Sequence, residues 1–458
     1  MSGRRILEGL GNGEFSSTEI VEDLLEVISR NSDLNAVAYL DKEGVEQAAK
    51  EADKARSQGQ NLPLLGLPLS IKDSIAVKDM PWRSGSYARE NVVAQTDATS
   101  VARLRKAGAI FLCKSTTPEY TWSVETDSAL HGRTSNPYDS GRTCGGSSGG
   151  EAVLHAIGGS PAGLGSDGLN SIRVPAHFCG TTGLRPTAGV VPETGVWPTT
   201  RGSGLMDIST VGPMAWAAED LNLLLAIIQG DDGIDPFTHP LCVDGEDNSL
   251  SKMRIGYFTS HPYAPADSSV QKAVTIATDA AKDFGCEVRA IAPWKLDNAI
   301  EIAFSLMAPD GGERVRADVA AAQGRHAPSF AALMQQLKLQ TLSITQYLSA
   351  VEEFIKIRTA IRSVVSEFDA VICPVASSSA PEHLSSVEAG GEGLSIEGYT
   401  YSFVIALAGL PSASIPVLHT PQGLPVGIQV IGSQHQDFKI GAIARQLQKT
   451  LGSFFAPN

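Results

Sequence analysis

Two serines in bare loops, with two histidines and a lysine behind an apolar run as candidate bases, are the residues of this chain whose types could do nucleophilic chemistry. Ser147 sits in TCGGSSGG, residues 143–150, where four glycines and two adjacent serines leave almost no side-chain bulk. Such a stretch gives room for close approach of the backbone or of something small lying against it. Ser171 follows 24 positions later in GLGSDGLNSIRVPAHFCG, a second loop of small and polar residues, so two hydroxyl-bearing loops bracket one apolar helix. A serine hydroxyl is a poor nucleophile near neutral pH unless a base takes its proton. His155 and His177 are close in sequence, and Lys72 directly follows the apolar run LLGLPLSI. An amine that loses hydration in such a place falls from about 10.4 toward neutrality. The residue types alone leave these three candidates open against ordinary roles, histidines satisfied by neighbours and a surface lysine at a strand end.

Other chemistries for the glycine-rich loop fail on their neighbours. A phosphate-binding loop needs Lys and then Ser or Thr after its last glycine, and Gly150 is followed by Glu151. The near match GAIFLCKS has Cys113 where glycine is required, inside a strand-like run. Residues 145–149 satisfy G-x-S-x-G with Ser147 at the centre, but that elbow needs a strand before it. The preceding TSNPYDSGRT reads as a polar loop.

The elements that must position these residues alternate between helix and strand. Residues 16–30 read as a helix with the capping box SSTE and with Ile20, Leu24, Leu25 and Ile28 on one face. A more polar helix is expected over 44–57, a buried strand in LLGLPLSIKDSIAV, and a helix followed by a strand in DATSVARLRKAGAIFLC. The alternation continues through KMRIGYF, VQKAVTIATDAAKDFG, CEVRAI, FDAVICP, GLPVGIQVIG and a last helix over 437–451. The pattern predicts an α/β fold on a mixed, largely parallel sheet. Between about 235 and 397 it becomes helix-rich and irregular, with a Ser/Gly/Glu-rich loop at 377–393.

At 458 residues the chain suits two domains or one large elaborated one. Its 42% hydrophobic and 19% charged residues are ordinary globular composition. The net charge of -14 is spread along the sequence and argues against nucleic acid as a partner. No segment is apolar for long enough to serve as a secretory signal or to span a bilayer, so a cytoplasmic protein without membrane attachment is expected. The six cysteines, Cys113, Cys144, Cys179, Cys242, Cys286 and Cys373, form no CxxC pair and read as free thiols. The nine histidines show no metal-ligand spacing, so no metal is expected.

Four segments, GLPLSIKD, NPYDSGRTCGGSSGGEAV, GSDGLNSIRVPAHFCGTTGLRPT and GLPSASIPVLHTPQGLPVGIQVIG, in order and register from about residue 5 to residue 451, resemble the amidase signature family. The resemblance implies one amidase domain over 1–458, a large mixed sheet flanked by helices. Its signature core would run over about 60–235 with 398–451, and about 236–397 would wall the pocket. It further implies a Ser, cis-Ser, Lys triad falling on Ser171 as nucleophile, Ser147 as bridging serine and Lys72 as base. The glycines around Ser147 would then admit a non-proline cis peptide and close approach of backbone and substrate. In the implied mechanism neutral Lys72 draws a proton through Ser147 from Ser171, whose oxygen attacks the carbonyl. Ser147 protonates the leaving amine, and water discharges the acyl-enzyme. Backbone N–H groups over 168–171 would form the oxyanion hole, with Ser148, Asp167 and Arg173 holding the loops in shape.

The nucleophile loop departs from the family. GSDGLNSIR stands where GSDTGGSIR is usual, so Gly168 replaces threonine and Leu169 and Asn170 replace a glycine pair. A leucine at positive φ is costly, so either Gly168 absorbs the strain or the loop moves. The expected result is a cofactor-free hydrolase of a small-molecule amide or carbamate. Gly168, Leu169 and Asn170 would line its acyl side and favour an anilide or carbamate. The competing expectations are a glutaminase component of a tRNA-dependent amidotransferase and a non-catalytic binding member.

Overall fold

The computed structural model describes residues 1–200, 203–205, 207–239, 241, 251–295, 298–338, 341–383 and 395–457. Cys242 and residues 384–393 of the Ser/Gly/Glu-rich stretch lie outside them. The strands in chain order are β1 (Val37–Tyr39), β2 (Pro68–Lys72), β3 (Ile110–Ser115), β4 (Asp127–Ser128), β5 (Gly132–Arg133), β6 (Ser135–Asn136), β7 (Asp139–Thr143), β8 (Ala162–Asp167), β9 (Thr182–Arg185), β10 (Thr210–Ala215), β11 (Arg254–Tyr257), β12 (Glu287–Ala290), β13 (Ala370–Pro374), β14 (Ser412–His419) and β15 (Pro425–Ile431). Eleven of them form one mixed sheet in the order β1-β3-β2-β8-β10-β9-β14-β15-β13-β11-β12, flanked by helices.

The sheet is less parallel than the helix–strand alternation predicts. Parallel pairing joins β3, β2 and β8 at one end and β13, β11 and β12 at the other. Between them β10, β9, β14 and β15 each run against both neighbours. The reason is non-local. The helix Arg173–Cys179 does carry the chain over so that β8 and β9 point the same way, but β10 inserts between them, antiparallel to both. The link from β14 to β15 is only a tight turn, closed by Thr420 N donating to Leu424 O, and a short link admits only antiparallel neighbours.

Local signals act as expected at the helix ends. In helix Ser17–Arg30, Glu19 N donates to Ser16 Oγ at 3.1 Å and Ser16 N to Glu19 Oε2 at 2.7 Å, while Ile20, Leu24, Leu25 and Ile28 are buried. The next helix, Lys42–Ser57, begins before residue 44 because Asp41 caps it by accepting from Gly44 N. Strands β2, β3, β8, β10, β13 and β15 are buried along their whole length, as strands covered on both faces are, and their apolar residues therefore run on without a period of two. Between about 235 and 397 the helices Ser268–Asp283, Ala299–Met307, Glu313–Ala321, Pro328–Lys338 and Ile344–Val365 accompany β11, β12 and β13. Cys113, Cys144, Cys179, Cys286 and Cys373 are free thiols.

The stretch before TCGGSSGG is not the plain loop its polar sequence suggests. Ser135–Asn136 and Asp139–Thr143 pair as a small hairpin, helped by Asn136 Nδ2 donating to Thr143 O at 3.1 Å. This hairpin lies outside the large sheet, so a short strand does precede Ser147, but not one of the central sheet as a hydrolase elbow requires.

Candidate active site

Lys72 is the last residue of β2, and parallel pairing to β8 brings Ser166 and Asp167 to the same edge of the sheet. Beyond that edge lie the N-termini of two helices, Gly149–Ala156 after Ser147 and Ser148, and Arg173–Cys179 after Ser171. The C-terminal ends of parallel strands are where open α/β sheets commonly place ligands.

The Lys72 amine is wholly buried and surrounded by hydroxyls. Its Nζ lies 2.7 Å from Ser147 Oγ, 2.9 Å from Ser148 Oγ and 3.0 Å from Ser166 Oγ, with the Ser166 carbonyl at 3.4 Å. Burial pulls its pKa down to about 7, with Asp167 and Glu151 acting in the opposite direction. Ser148 N donates to Ser171 O at 3.1 Å and so ties the two serine loops together. Ser147 and Ser171, 1% and 9% exposed, line one cavity of about 870 Å³ together with Ser166.

The peptide Gly146–Ser147 is cis, as the resemblance implies. A side chain at these glycines would meet the protein's own chain. A Cβ on Gly146 would stand 2.7 Å from Ser123 O, one on Gly149 2.3 Å from Thr126 Oγ1, and one on Gly150 2.5 Å from Thr116 N. Thr117 Oγ1 donates to Ser147 O and Thr126 Oγ1 to Gly145 O, each at 2.8 Å, so the segment after β3 grips the turn from behind.

Asp167 and Arg173 hold the nucleophile loop from beneath, and neither is exposed. Arg173 Nε and an Nη donate to the two carboxylate oxygens of Asp167 at 3.1 Å, Arg185 adds a bond at 3.2 Å, and Ile172 N donates at 3.1 Å. Burial alone would raise the Asp167 carboxyl, but the two guanidiniums keep it at about 2. Arg173 also donates to Leu169 O at 2.6 Å. The strain expected at Leu169 is absent: Gly168, Leu169 and Asn170 all lie outside the left-handed region. With its carbonyl held by Arg173 and its side chain packed on the core, Leu169 fits without a glycine's freedom.

His155 and His177 face away from this cluster. His155 Nδ1 pairs with Ser160 O at 3.0 Å and its Nε2 lies 3.3 Å from Glu151. His177 accepts from Gly427 N at 2.8 Å and pairs with Ser378 O at 3.0 Å. Sequence reasoning missed Ser166, whose hydroxyl completes the ring around Lys72. The only signal for it is a hydroxyl next to Asp167 at a strand end.

The cavity is walled by aromatic side chains, among them Trp122, Trp197, Phe304 and Phe403. Ionisable groups among its described lining residues are Glu301, Glu397, Tyr263 and Tyr399. No helix among the described residues is long and apolar enough to cross a membrane.

Comparison with known proteins gives the family. Residues 19–440 match the Amidase family. The chain is 31% identical over 480 residues to a glutamyl-tRNA(Gln) amidotransferase subunit of Psychrobacter sp. (strain PRwf-1), covering 97% of this chain and 95% of that one. It is 30% identical over 490 residues to fatty-acid amide hydrolase 2-B of Danio rerio, covering 100% and 90%. A solved structure described as an amidase superposes with a TM-score of 0.85 at 27% identity, over 99% of this chain and 100% of the other. Sheet, signature loops and whole-length similarity agree, and the chain belongs to the amidase signature family of hydrolases.

Proposed function

We propose that the protein hydrolyses the C–N bond of a small-molecule amide or carbamate, an aryl amide or urethane in preference, through an acyl-enzyme on Ser171. The observation that carries this reading is the buried Lys72 amine, at about pKa 7 and 2.7 Å from Ser147 Oγ. A neutral amine has a lone pair for the Ser147 proton and N–H groups for the other hydroxyls around it, so it suits the base of a relay. Ser147 passes the Ser171 proton to Lys72 as the Ser171 oxygen bonds to the carbonyl carbon. It returns a proton to the departing amine as the C–N bond breaks, and water then releases the acyl group by the reverse path. Backbone N–H groups over 168–171 stabilise the oxyanion, a role worth about 3 kcal/mol per donor in other hydrolases.

The elaboration over about 236–397 walls the pocket of a single amidase domain, a reading supported by Phe304 and Leu342 among the lining residues. Leu169 narrows the acyl side, and the aromatic walls favour an aryl amine on the leaving side. The test is a panel of aryl amides, aliphatic amides, esters and aryl carbamates run on the native chain and on Ser171→Ala. Turnover of aryl substrates that vanishes in the variant is expected; turnover that survives it sinks the reading.

Whole-length similarity to an amidotransferase component favours a second reading, glutamine hydrolysis that feeds ammonia to a partner. Against it, Glu301 and Glu397 line the cavity, so the α-carboxylate of glutamine meets like charge. Ser171-dependent release of ammonia from free glutamine is the result that would favour it. A non-catalytic member would leave Ser171 unlabelled by a fluorophosphonate; labelling is expected.

A further inference from the structure

Asn170 is 2% exposed, lines the cavity directly before Ser171, and carries a side-chain nitrogen without a hydrogen-bond partner. Its backbone carbonyl is already engaged by Val174 N at 2.9 Å, so the amide is the part of the residue left unspent. Buried polar groups are nearly always paired, and an orphan weakens the fold that holds it. The amide nitrogen makes no hydrogen bond within the described residues of the folded chain. Gly168, Asn170 and Ser171 line the same cavity, and a Cβ on Gly168 would meet no atom within 4 Å, so the loop two residues before the amide is open. Rotation about the broad, two-fold χ2 of asparagine lets the amide turn its NH2 toward a ligand.

We propose that the Asn170 side chain is a specificity-determining donor to the alkoxy oxygen of a carbamate, an inference that rests on the hydrolase reading above. In a free carbamate the alkoxy lone pairs are delocalised into the carbonyl, and the oxygen is a weak acceptor. When the Ser171 oxygen bonds to the carbonyl carbon, the π bond opens and those lone pairs return to the alkoxy oxygen. The acceptor is therefore stronger in the tetrahedral state than in the bound substrate, and a donor placed there accelerates the step rather than merely tightening binding. The C–N bond then breaks, the amine leaves with the proton from Ser147, and Ser171 holds a mixed carbonate. Water cleaves this to an alkyl hydrogen carbonate, which falls to alcohol and carbon dioxide. An amide with methylene in place of the alkoxy oxygen offers Asn170 no acceptor.

The test compares methyl N-(4-nitrophenyl)carbamate with 4′-nitropropionanilide, which differ by oxygen against methylene and release the same 4-nitroaniline. kcat and KM are measured for the native chain, Asn170→Leu, Asn170→Gly and Ser171→Ala, with thermal unfolding of each. The carbamate-to-anilide ratio of kcat/KM is expected to fall about tenfold in both Asn170 variants, through kcat rather than KM. The Tm of Asn170→Leu should not fall below that of the native chain, because an orphaned donor has been removed. Equal losses on both substrates would assign the amide to the oxyanion or to structure and overturn the proposal. Ser171-dependent turnover of both substrates with an unchanged ratio sinks Asn170 alone. Absence of Ser171-dependent turnover of either sinks the hydrolase reading with it.

Discussion

Two lysines are buried side by side in this sheet, and their surroundings set them to different tasks. Lys72 ends β2 and Lys114 lies next door on β3, where Ile71 pairs with Lys114 and Lys72 with Ser115; neither is exposed. The Lys114 Nζ meets acceptors that cannot donate, Ile75 O at 2.6 Å and Pro81 O at 3.4 Å, with the Asp73 carboxylate at 3.8 Å. The Lys72 Nζ meets three hydroxyls, which donate as readily as they accept. Burial lowers both amines, Lys72 to about 7 and Lys114 to about 8, with Asp73 the leading opposing influence on the latter. Desolvation alone does not make a base. On the proposed mechanism the partner set makes the difference: the carboxylate near Lys114 favours an ammonium, whereas the three hydroxyls around Lys72 accept from or donate to a neutral amine and can relay its proton.

Replacing each lysine separates the two roles most sharply. Lys72→Met should cost about 10³-fold in kcat on an aryl amide, within the range of lost general base catalysis, while the chain stays folded. Lys114→Met leaves Asp73 buried without its cation and should cost about 3 kcal/mol of stability in denaturant unfolding. It should keep fluorophosphonate labelling of Ser171 in the fraction that is folded. Undiminished turnover in Lys72→Met, or loss of labelling in folded Lys114→Met, would reverse the assignment.

The pH dependence distinguishes the pair again. kcat/KM should rise through an inflection near pH 7 as Lys72 loses its proton, and Lys114→Met should keep that inflection. Stability carries the same mark with a definite sign. Between about 7 and the ordinary lysine value of 10.5, the unfolded chain binds a proton that folded Lys72 does not, so stability rises with pH across that window. Lys114 adds a narrower contribution from about 8 to 10.5. Removing Lys72 should flatten the rise from pH 7 upward, and removing Lys114 only from about 8. An activity inflection that moves in Lys114→Met breaks the distinction.

The contrast between the lysines also measures what the sequence discloses. Lys72 follows LLGLPLSI and Lys114 sits in IFLCKS, two equally apolar runs, and nothing local separates them. Four signature segments in register single out Lys72, Ser147 and Ser171, and the structure brings Lys72 into contact with Ser147 and opens both serines onto one cavity. Capping residues and apolar periodicity place helix Ser17–Arg30 and the buried strands, because those signals act over a few residues. Strand direction in the centre of the sheet is invisible, since β10 enters between β8 and β9 from more than twenty residues away. Ser166 is invisible for the same reason: its place beside Lys72 depends on the register of β2 against β8. The glycines of TCGGSSGG are conspicuous in the sequence, but that a side chain there would meet Ser123, Thr126 and Thr116 is a tertiary fact.

The smallest expected effect lies within the hydroxyl ring itself. Ser148 Oγ is 2.9 Å from Lys72 Nζ, donates to Ser166 O at 3.3 Å, and accepts from Ser166 N at 3.4 Å. It is also the residue whose backbone N–H joins the two serine loops, a bond that Ser148→Ala retains. The variant therefore removes one ordinary hydrogen bond from the amine and leaves the Ser147 contact in place. A bond of that kind is worth about 1 kcal/mol, so kcat should fall roughly fivefold. The loss should be greatest near and below pH 7, because the ammonium uses every acceptor around it and the neutral amine does not. A collapse of activity as deep as that of Ser147→Ala would mean that the proton travels through Ser148 as well. The contrast between a relay hydroxyl and a supporting one would then have to be given up.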